Sequence, residues 1–433
     1  MRGITLGVER TLHAGCRASK RLGLMGALAL CCATSGNAQT AASAAQFSGQ
    51  LRLQWDQRDS NSAGPLAAAN ALQPGTAPVA GNGATLETEL RANGAGLSSV
   101  VTLRQQRLEG SALDSRAWIN ELYASHDGGA WQFSVGKKIV AWDVGYAFRP
   151  NDMVAQEERR TLLSSTLEGR PLLMAEHFSA DTAWSWVWVN PTSDSGALGA
   201  NEPALALRAY RRDGSVDWHA FARLGAHSGA SVGAAVAWVA SDALELHASA
   251  RYLQRLDSQA IDPAISGVTL SNPWRPRSES GVKQLLLGGT WTNEHQLSLL
   301  AEAWRDGAAL ADAQWETWAG RNAKLVALVG QGAPTPAVAG NLAWQAQAFS
   351  VSQNLRRSNL FVRLSWQHEG WQPALDLLYA PVDRGQVWTA SLNWQGDRVQ
   401  VQGGLRAYAG PASALLTQLP TRGMAYLAST WNF

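Results

Sequence analysis

The amino-acid sequence predicts an all-β protein: a transmembrane antiparallel up-and-down β-barrel of about 18 strands, with short periplasmic turns and longer extracellular loops. Three observations support this prediction. Apolar and polar residues alternate over segments of about ten residues, tight turns and long connections alternate along the chain, and no apolar run after position 38 approaches the length of a spanning helix. Alternation gives a strand one apolar and one polar face, which suits a wall between lipid and water.

The first 38 residues have the features of a signal peptide. Lys20 and Arg21 precede the apolar run LGLMGALALCCA, and small residues lead to a predicted cleavage site between Ala38 and Gln39. This run has about 12 residues, whereas a membrane-spanning helix needs roughly 20. We therefore expect residues 1–38 to be removed on export, which leaves 39–433 as the barrel.

Removal of this leader changes the chemistry available to the mature chain. Cys16, Cys31 and Cys32 all lie within it, so no thiol remains for disulfides, metal binding or catalysis. The leader also holds five of the 36 basic residues and one of the 34 acidic ones, which leaves 31 basic and 33 acidic residues and a net charge of −2. This balance creates no overall field for nucleic acid or an anionic membrane surface, and we expect no nucleic-acid partner.

The predicted strands are defined by strict alternation of side-chain type. In FSGQLRLQWDQR the apolar residues Leu51, Leu53 and Trp55 alternate with polar ones, which is the period of a strand between two different environments. The same pattern recurs in RVQVQGGLRAY, NLFVRLSWQ, QVWTASLNWQ, ALELHASARY and GSVDWHAFAR. Each segment has about the length of a tilted strand that crosses a bilayer.

The connections between these strands fall into two classes that alternate. Eight tight turns contain the Gly, Asp and Asn residues that hairpins favour, at 93–96, 126–129, 179–182, 211–215, 240–242, 292–295, 368–371 and 395–397. Nine longer connections lie at 58–82, 109–114, 140–169, 191–202, 225–229, 255–280, 305–357, 381–384 and 409–421. The segments DAQWETWAGRNAKLVALV and NLAWQAQAFSVSQNL are at least as helical as stranded in pattern, so we assign 305–357 to one loop.

Tryptophan supports a membrane location for the strand ends. All 20 tryptophans follow the leader, and seven fall near predicted strand ends: Trp55, Trp131, Trp291, Trp366, Trp388, Trp394 and Trp431. Indole rings are favoured at the two membrane interfaces, where they form aromatic girdles. The alternative is core packing in a soluble, secreted β-protein.

The last nine residues, AYLASTWNF, predict a closing strand. Ala425, Leu427, Trp431 and Phe433 are expected to face lipid, whereas Tyr426, Thr430 and Asn432 are expected to face inward. This ending resembles that of Gram-negative outer-membrane barrels, although Ser429 stands where a larger residue is usual. The resemblance implies that Trp431 and Phe433 form a signal for the barrel-assembly machinery and that the protein lies in the cell outer membrane.

The inward-facing positions are expected to carry the function, because 18 strands enclose a water-filled lumen. By alternation they include Arg52, Glu87, Glu89, Arg91, Arg104, Lys138, Arg208, Arg223, Glu245, Arg251, Arg363, Asp376, Arg398 and Arg406. This arginine-rich wall predicts a channel for small hydrophilic solutes, anionic or saccharide in character. The alternative is that the arginines pair with the carboxylates across neighbouring strands and only stiffen the wall.

One charged loop stands apart. The segment GKKIVAWDVGYAFRPNDMVAQEERRTLLSSTLEGR starts at a strand end and resembles, over about twenty residues, the corresponding region of alginate-export-type barrels, which also have eighteen strands. That resemblance implies a channel for polysaccharides or small acids and an inward-folded constricting loop, with roles for Lys138, Arg149, Asp152, Arg159 and Arg160. The alternative is a solvated surface loop. The 305–357 loop is a second gate candidate because of its length.

Other classes of function find little support in the sequence. It contains no metal-ligand spacing and no phosphate-binding loop, so we expect neither an enzyme nor a cofactor. Two alternatives to a porin-type channel remain: an exporter of an acidic polysaccharide, and a non-conducting barrel whose loops bind a partner or serve a structural role.

Overall fold

The computed structural model describes residues 45–156, 167–194 and 196–433. Its strands are β1 (Gln46–Ser60), β2 (Gly83–Gly94), β3 (Leu97–Leu108), β4 (Asp114–Asp127), β5 (Trp131–Lys138), β6 (Arg170–Phe178), β7 (Thr182–Val189), β8 (Ala204–Asp213), β9 (Val216–Gly225), β10 (Gly229–Ser241), β11 (Leu244–Ile261), β12 (Trp274–Thr292), β13 (Leu297–Asp306), β14 (Ser358–Trp366), β15 (Trp371–Ala380), β16 (Gly385–Gln395), β17 (Val399–Ala409) and β18 (Thr421–Asn432).

These strands form one closed antiparallel barrel. Each strand pairs with its neighbours in sequence, and β18 pairs with β1 to close the sheet. Closure leaves no unpaired edge, which is the condition for strands to cross a bilayer. The predicted fold class and the predicted 18 strands are confirmed, and the predicted signal peptide lies outside the described residues.

The barrel closes tightly where the two ends of the chain meet. The backbone N–H of Gly49 donates to the carbonyl of Phe433 at 2.8 Å, and the N–H of Phe433 donates back to Gly49 at 2.9 Å. A Cβ atom at Gly49 would lie 2.7 Å from the Phe433 ring, so glycine is needed for this close approach. Leu427 and Trp431 face outward and are exposed, whereas Tyr426 is buried on the inner side, as expected for the closing strand.

The outer face of the barrel is apolar along its whole circumference. Leu53, Trp55, Leu364 and Trp366 are typical outward residues with 43–56% of their surface exposed, which is stable only if lipid surrounds the barrel. On strands β5–β10 this face includes an apolar depression of about 800 Å³, lined among others by Phe133, Trp186, Trp188, Leu207 and Val232. We call the end of the barrel with the short connections the turn end and the opposite end the loop end.

Helices occupy two of the long loops at the loop end. The 58–82 connection contains α1 (Gly64–Leu72), and the 305–357 connection contains α2 (Asp312–Val329) and α3 (Thr335–Gln345), followed by a 3-10 turn at Ala346–Ser350. The assignment of 305–357 to one connection is confirmed, and the segment DAQWETWAGRNAKLVALV, whose pattern left helix and strand open, forms α2 within it. Among the described residues, no helix has both the length and the apolar character needed to span a membrane.

A shared apolar core makes these loops one packed cap. Ala69 of α1, Leu325 of α2 and Leu342 of α3 are fully buried against one another. The indole N–H groups of Trp315 and Trp318 donate to the backbone carbonyls of Leu355 and Gln345, at 2.9 and 2.8 Å. Buried tryptophans with satisfied N–H groups stabilise a loop of this length.

Two predicted loops differ from the observed structure. The sequence predicts a loop throughout 255–280, but β11 continues to Ile261 and β12 begins at Trp274, so the hairpin extends well past its neighbours. The backbone hydrogen bonds of two antiparallel strands can continue beyond the membrane into water. There both faces of the strands meet water, so the side chains need not alternate and the sequence pattern does not show where the strands end. The sequence pattern does not predict the helix α1 either, because its apolar segment is too short to show a helical period.

Candidate functional site

The segment 139–156, here called the inner loop, turns into the barrel after β5 and binds the opposite wall. The carboxylate of Glu302 on β13 accepts hydrogen bonds from the backbone N–H groups of Tyr146 and Ala147, at 2.6 and 2.7 Å. Arg251 on β11 donates to the carbonyl of Pro150 at 2.9 Å. Backbone groups inside a lumen need such partners, because a dry interior offers no water in their place.

A second group of hydrogen bonds fastens the middle of the inner loop. The side chain of Asn151 donates to Ser249 Oγ at 2.8 Å, and Asp143 accepts from Ser249 Oγ at 3.0 Å and from the Asn151 N–H at 2.5 Å. Asp143 adopts a φ of 105°, a strained conformation for a non-glycine residue that this network over-determines. Burial raises the pKa of the Asp143 carboxyl above its ordinary value, although its hydrogen bonds oppose that rise.

Glycine 233 makes room for this network. A Cβ atom at Gly233 on β10 would lie 1.8 Å from Asn151 Oδ1 and 2.8 Å from the carbonyl of Ala250. Any larger residue would therefore push Asn151 off the wall.

The inner loop also brings an apolar core into the barrel. Val140, Trp142, Met153 and Val154 are buried against inward side chains of β6, β7, β9 and β10, which include Leu172, Met174, Val187, Val189, Phe221 and Ala235. Further along, Phe148 stacks on Trp304 with ring centroids 5.8 Å apart and packs on Leu286. Across β6–β13 the lumen is therefore filled by packed side chains rather than by an open path.

The other side of the lumen holds a cavity of about 1110 Å³. Its wall combines the inner faces of β1, β3, β4 and β14–β17 and the loop ends of β6 and β13 with the inner loop and the end of the 305–357 loop. Seven of the described arginines line it: Arg52, Arg104, Arg116, Arg170, Arg356, Arg363 and Arg406. Among the described lining residues the carboxylates are Glu168 and Asp376.

Several of these arginines have carboxylate partners. Arg363 bridges Asp376 at 3.2 Å on the neighbouring strand, which is the pairing that the alternative interpretation of the wall predicted. Arg104 lies 3.4 Å from Asp114, and Arg356 contacts Asp383 at 2.9 Å and Asp312 at 3.2 Å. Arg406 instead donates to the hydroxyl of Thr389 at 3.0 Å. The wall is therefore partly neutralised, and positive charge still dominates its lining.

Glu168, which lies just before β6, bridges the loop ends of β4 and β5. It accepts from Lys137 Nζ at 2.6 Å and from Arg116 Nη2 at 3.0 Å. Burial works against the charged carboxylate, but the Lys137 hydrogen bond and nearby cations outweigh it and hold the pKa of Glu168 below its ordinary value.

Aromatic rings flank the arginines in the cavity. The guanidinium carbons of Arg116 and Arg104 lie 4.8 and 5.8 Å from the ring centroid of Trp118. Tyr146 of the inner loop stacks on Phe361 at 5.9 Å. Arg363 lies 6.0 Å from the Tyr146 ring, so cation–π contacts hold guanidinium groups in place without neutralising them.

The structure separates the eleven residues proposed from the sequence into two sets. Arg52, Arg363 and Arg406 line the cavity. Arg91 lies toward the turn end and bridges Glu89 at 2.6 Å, and Lys138 faces inward beside Ser134 and the Tyr123 ring. All five residues occupy inward positions of their strands, but they lie at different heights and on different sides of the lumen.

Four further candidates face the filled side of the lumen or lie outside the described residues. Arg208 contacts His219 at 3.4 Å on neighbouring β8 and β9, and Arg251 binds the inner loop itself. Because the inner loop covers this part of the wall, neither is among the described residues that line the cavity. Arg159 and Arg160 lie outside the described residues.

The two remaining candidates belong to the inner loop's own structure. Arg149 donates to the carbonyl of Gly145 at 2.8 Å, and Asp152 is buried at 4% exposure. Neither is among the described cavity-lining residues, because the loop turns these groups toward its own backbone and the wall.

Sequence reasoning missed three cavity arginines. Arg116 and Arg170 stand at the loop ends of β4 and β6, where alternation identifies the inward face once the strand limits are known. Arg356 lies in a loop, where no period applies, and only the fold brings it to the cavity. Over the described ranges, no cluster of three or more His, Cys, Asp or Glu side chains could hold a metal ion.

Comparisons with known proteins agree with this geometry. No protein-family model matches the sequence, and no curated protein matches it. Among solved structures, it is similar to Acinetobacter baumannii OccAB1, with a TM-score of 0.52 and 8% identity over 90% of this chain and 96% of that one. Pseudomonas aeruginosa OccD3 (OpdP) is similar with a TM-score of 0.50 and 7% identity, over 90% and 91% of the two chains.

A mutant of the Rh. blastica porin also matches, with 11% identity over 90% of this chain and 100% of that one, at a TM-score of 0.41. At such low identities the comparisons bear on the fold alone. Together with the closed sheet and the apolar outer face, the similarity to the two Occ structures identifies the chain as an 18-stranded barrel with a porin-like, outer-membrane fold.

Proposed function

We propose that this protein is an outer-membrane channel for small hydrophilic anions, with carboxylates and acidic sugars as its solutes. The observation that carries the proposal is the convergence of seven arginines on one cavity that has two carboxylates in its described lining. A confined cation-rich wall attracts anions and excludes cations, since field lines are focused in a narrow lumen.

The arginines follow the path that a solute would take. Arg116, Arg170 and Arg356 stand near the loop end of the barrel, whereas Arg52, Arg363 and Arg406 lie nearer the middle of their strands. An anion can therefore exchange one guanidinium for the next. Because guanidinium groups are planar forks, they bind carboxylates in two-point contacts that still release when another donor is near.

The proposal includes the route of the chain to the membrane. Residues 1–38 are removed during export, and the closing strand with Trp431 and Phe433 is bound by the barrel-assembly machinery before insertion into outer-membrane lipid. Small hydrophilic solutes are then its functional partners, and the proposal assigns it no catalysis and no cofactor.

Ion selectivity tests the proposal directly. The purified mature protein is inserted in a planar bilayer under a KCl gradient, and the reversal potential gives the ratio of anion to cation permeability. We expect preference for chloride, and we expect R52Q/R406Q to lower the ratio about fivefold, which corresponds to roughly 1 kcal/mol of lost attraction. Arg363 is retained because its removal would leave Asp376 buried without its partner.

The matched control is R107Q/R211Q, which removes two arginines from outward positions of β3 and β8. It should leave the ratio unchanged. Cation preference of the unmodified protein would overturn the anion proposal. Absence of unit current would favour the non-conducting barrel, and block of current by acidic oligosaccharides but not by small carboxylates would favour the polysaccharide exporter.

A further inference from the structure

The outer face of β12 and β13 carries two cations at the loop end of the apolar wall. Arg305 on β13 stands directly opposite Leu285 on β12, and Lys283 lies two residues further toward the loop end of β12. Residues in this diagonal relation are about 7–8 Å apart, close enough to contact one group together. Both side chains are exposed.

The neighbours of Lys283 leave it open and mark its depth. On one side it faces Tyr252 of β11, an outward aromatic residue with 41% exposure. On the other side the backbone N–H of Gly307 donates to the Lys283 carbonyl at 2.9 Å, and a glycine has no side chain to cover the lysine. Outward tyrosines are typical of the membrane interface, so Lys283 stands at the level of lipid headgroups.

Below the two cations the same face is apolar. Leu285 and Leu287 follow Lys283 along β12 at the next two outward positions and are 51% and 65% exposed. A ligand that binds both parts of this surface needs a negative head and an apolar tail. A soluble polyanion or a free phosphate would contact only the two cations and not the leucines.

Among the described residues, the carboxylates lie away from these two cations. In the part of the chain that the structure describes, neither Lys283 nor Arg305 lies within 4 Å of a carboxylate, and Arg277 adds a further exposed cation on the same row of β12. Glu279 shares that row but is four residues from Lys283, about 13 Å along the strand. This local charge contrasts with the slightly negative mature chain.

We propose that Lys283 and Arg305, with Tyr252 beside them, bind the phosphate groups of an anionic glycolipid in the outer leaflet, whose acyl chains lie along Leu285 and Leu287. Lysine and arginine next to a membrane each strengthen binding of anionic lipid about fivefold. The inference depends on the orientation expected from the sequence, in which the longer loops at the loop end are extracellular. It does not depend on the solute that the lumen carries.

Lipid retention tests the site. The detergent-solubilised mature protein is mixed with lipid A that bears two phosphates, or with its dephosphorylated form, and bound lipid is counted by native mass spectrometry. The phosphorylated lipid should bind the unmodified protein preferentially. K283Q/R305Q should lower its affinity by about tenfold or more, and R107Q/R211Q, which removes two isolated outward arginines, should lower it little.

Three results would overturn the site. The first is an equal loss of lipid affinity in K283Q/R305Q and R107Q/R211Q. The second is equal binding of the phosphorylated and dephosphorylated lipids by the unmodified protein. The third is a change in oligomer size in K283Q/R305Q without a change in bound lipid, which would indicate a protein contact. Both variants should keep the barrel's heat-modifiable mobility on gels, which confirms folding. Channel current should be the same in K283Q/R305Q as in the unmodified protein. The lipid assay and the current measurement therefore test the two proposals independently.

Discussion

The two sides of the lumen are built on the same strand pattern but differ in what they contain. Along β6–β13 the inward positions include Val187, Ala206 and Phe221, and the inner loop packs on them as a core. Along β14–β18 and β1–β4 the inward positions include Arg52 and Arg406, and a cavity remains. Inward positions of a wide barrel are therefore not uniformly polar, because a loop that enters the lumen creates an interior of its own.

This difference explains how a wide barrel encloses only a limited cavity. Eighteen strands alone enclose far more space than a selective channel needs. The inner loop fills one side of the lumen, and its hydrogen bonds to Glu302 and Arg251 fix its position. What remains is the cavity, with arginines on its wall and the inner loop as its boundary.

The largest expected effect follows from removing the anchor of the filled side. E302A deletes the acceptor of two backbone N–H groups and leaves His247, which lies 3.0 Å from Glu302, without that partner. Loss of one member of a buried pair costs about 3–5 kcal/mol, enough to free the inner loop from the wall. We expect single-channel conductance to rise several-fold and to fluctuate.

The matched control is E245A, because Glu245 also contacts His247, at 3.2 Å, but makes no hydrogen bond to the inner loop among the contacts of the described residues. It should leave conductance close to that of the unmodified protein. If E302A conducts as the unmodified protein does, the anchor does not hold the loop.

An intermediate effect is expected at the loop-end rim of the filled side. Glu202, which follows the 3-10 turn Gly199–Asn201, accepts from Arg223 at 2.5 Å and from the backbone N–H groups of His227 and Ser228 at 3.0 and 2.9 Å. Burial opposes the charge, but the hydrogen bonds from Ser228 and Arg223 prevail and hold the pKa of Glu202 below its ordinary value.

The direction of the pH effect follows from that pKa. A lowered pKa in the folded state stabilises the rim above the ordinary value of 4.5, and this stabilisation is lost as pH falls through the lower folded-state value. Hydrogen exchange of the His227 and Ser228 amides, corrected for intrinsic rates, should therefore accelerate only below about pH 4.5. E202Q should show the faster exchange at neutral pH, and equal protection in both proteins at neutral pH would contradict the assignment.

The smallest effect is expected on the open side. Glu168 bridges Lys137 and Arg116 with 43% of its side chain exposed, so the pair is screened by water. E168Q should change the free energy of unfolding by less than about 1 kcal/mol. It should raise anion preference slightly, because it removes one of the two carboxylates described in the cavity lining. A change in stability as large as that of E302A would show that the two sides do not differ as described.

Much of the barrel could be predicted from particular residues. Leu53 and Trp55 alternate with Arg52, and the structure places the first two outward and exposed and the third in the cavity wall. Arg251 and Arg363 have the same alternation, yet one fastens the inner loop and the other lines the cavity. Side-chain alternation shows which face of the strand a residue occupies. It does not show which loop packs against that face.

The sequence by itself determined the strand number and the face of the strand residues, because these depend on side-chain alternation within short segments of the chain. Only the tertiary structure decided which side of the lumen is filled. That choice depends on contacts such as Tyr146 with Glu302, which are 156 residues apart in sequence. Such contacts form only after the closed sheet has brought the wall to the loop.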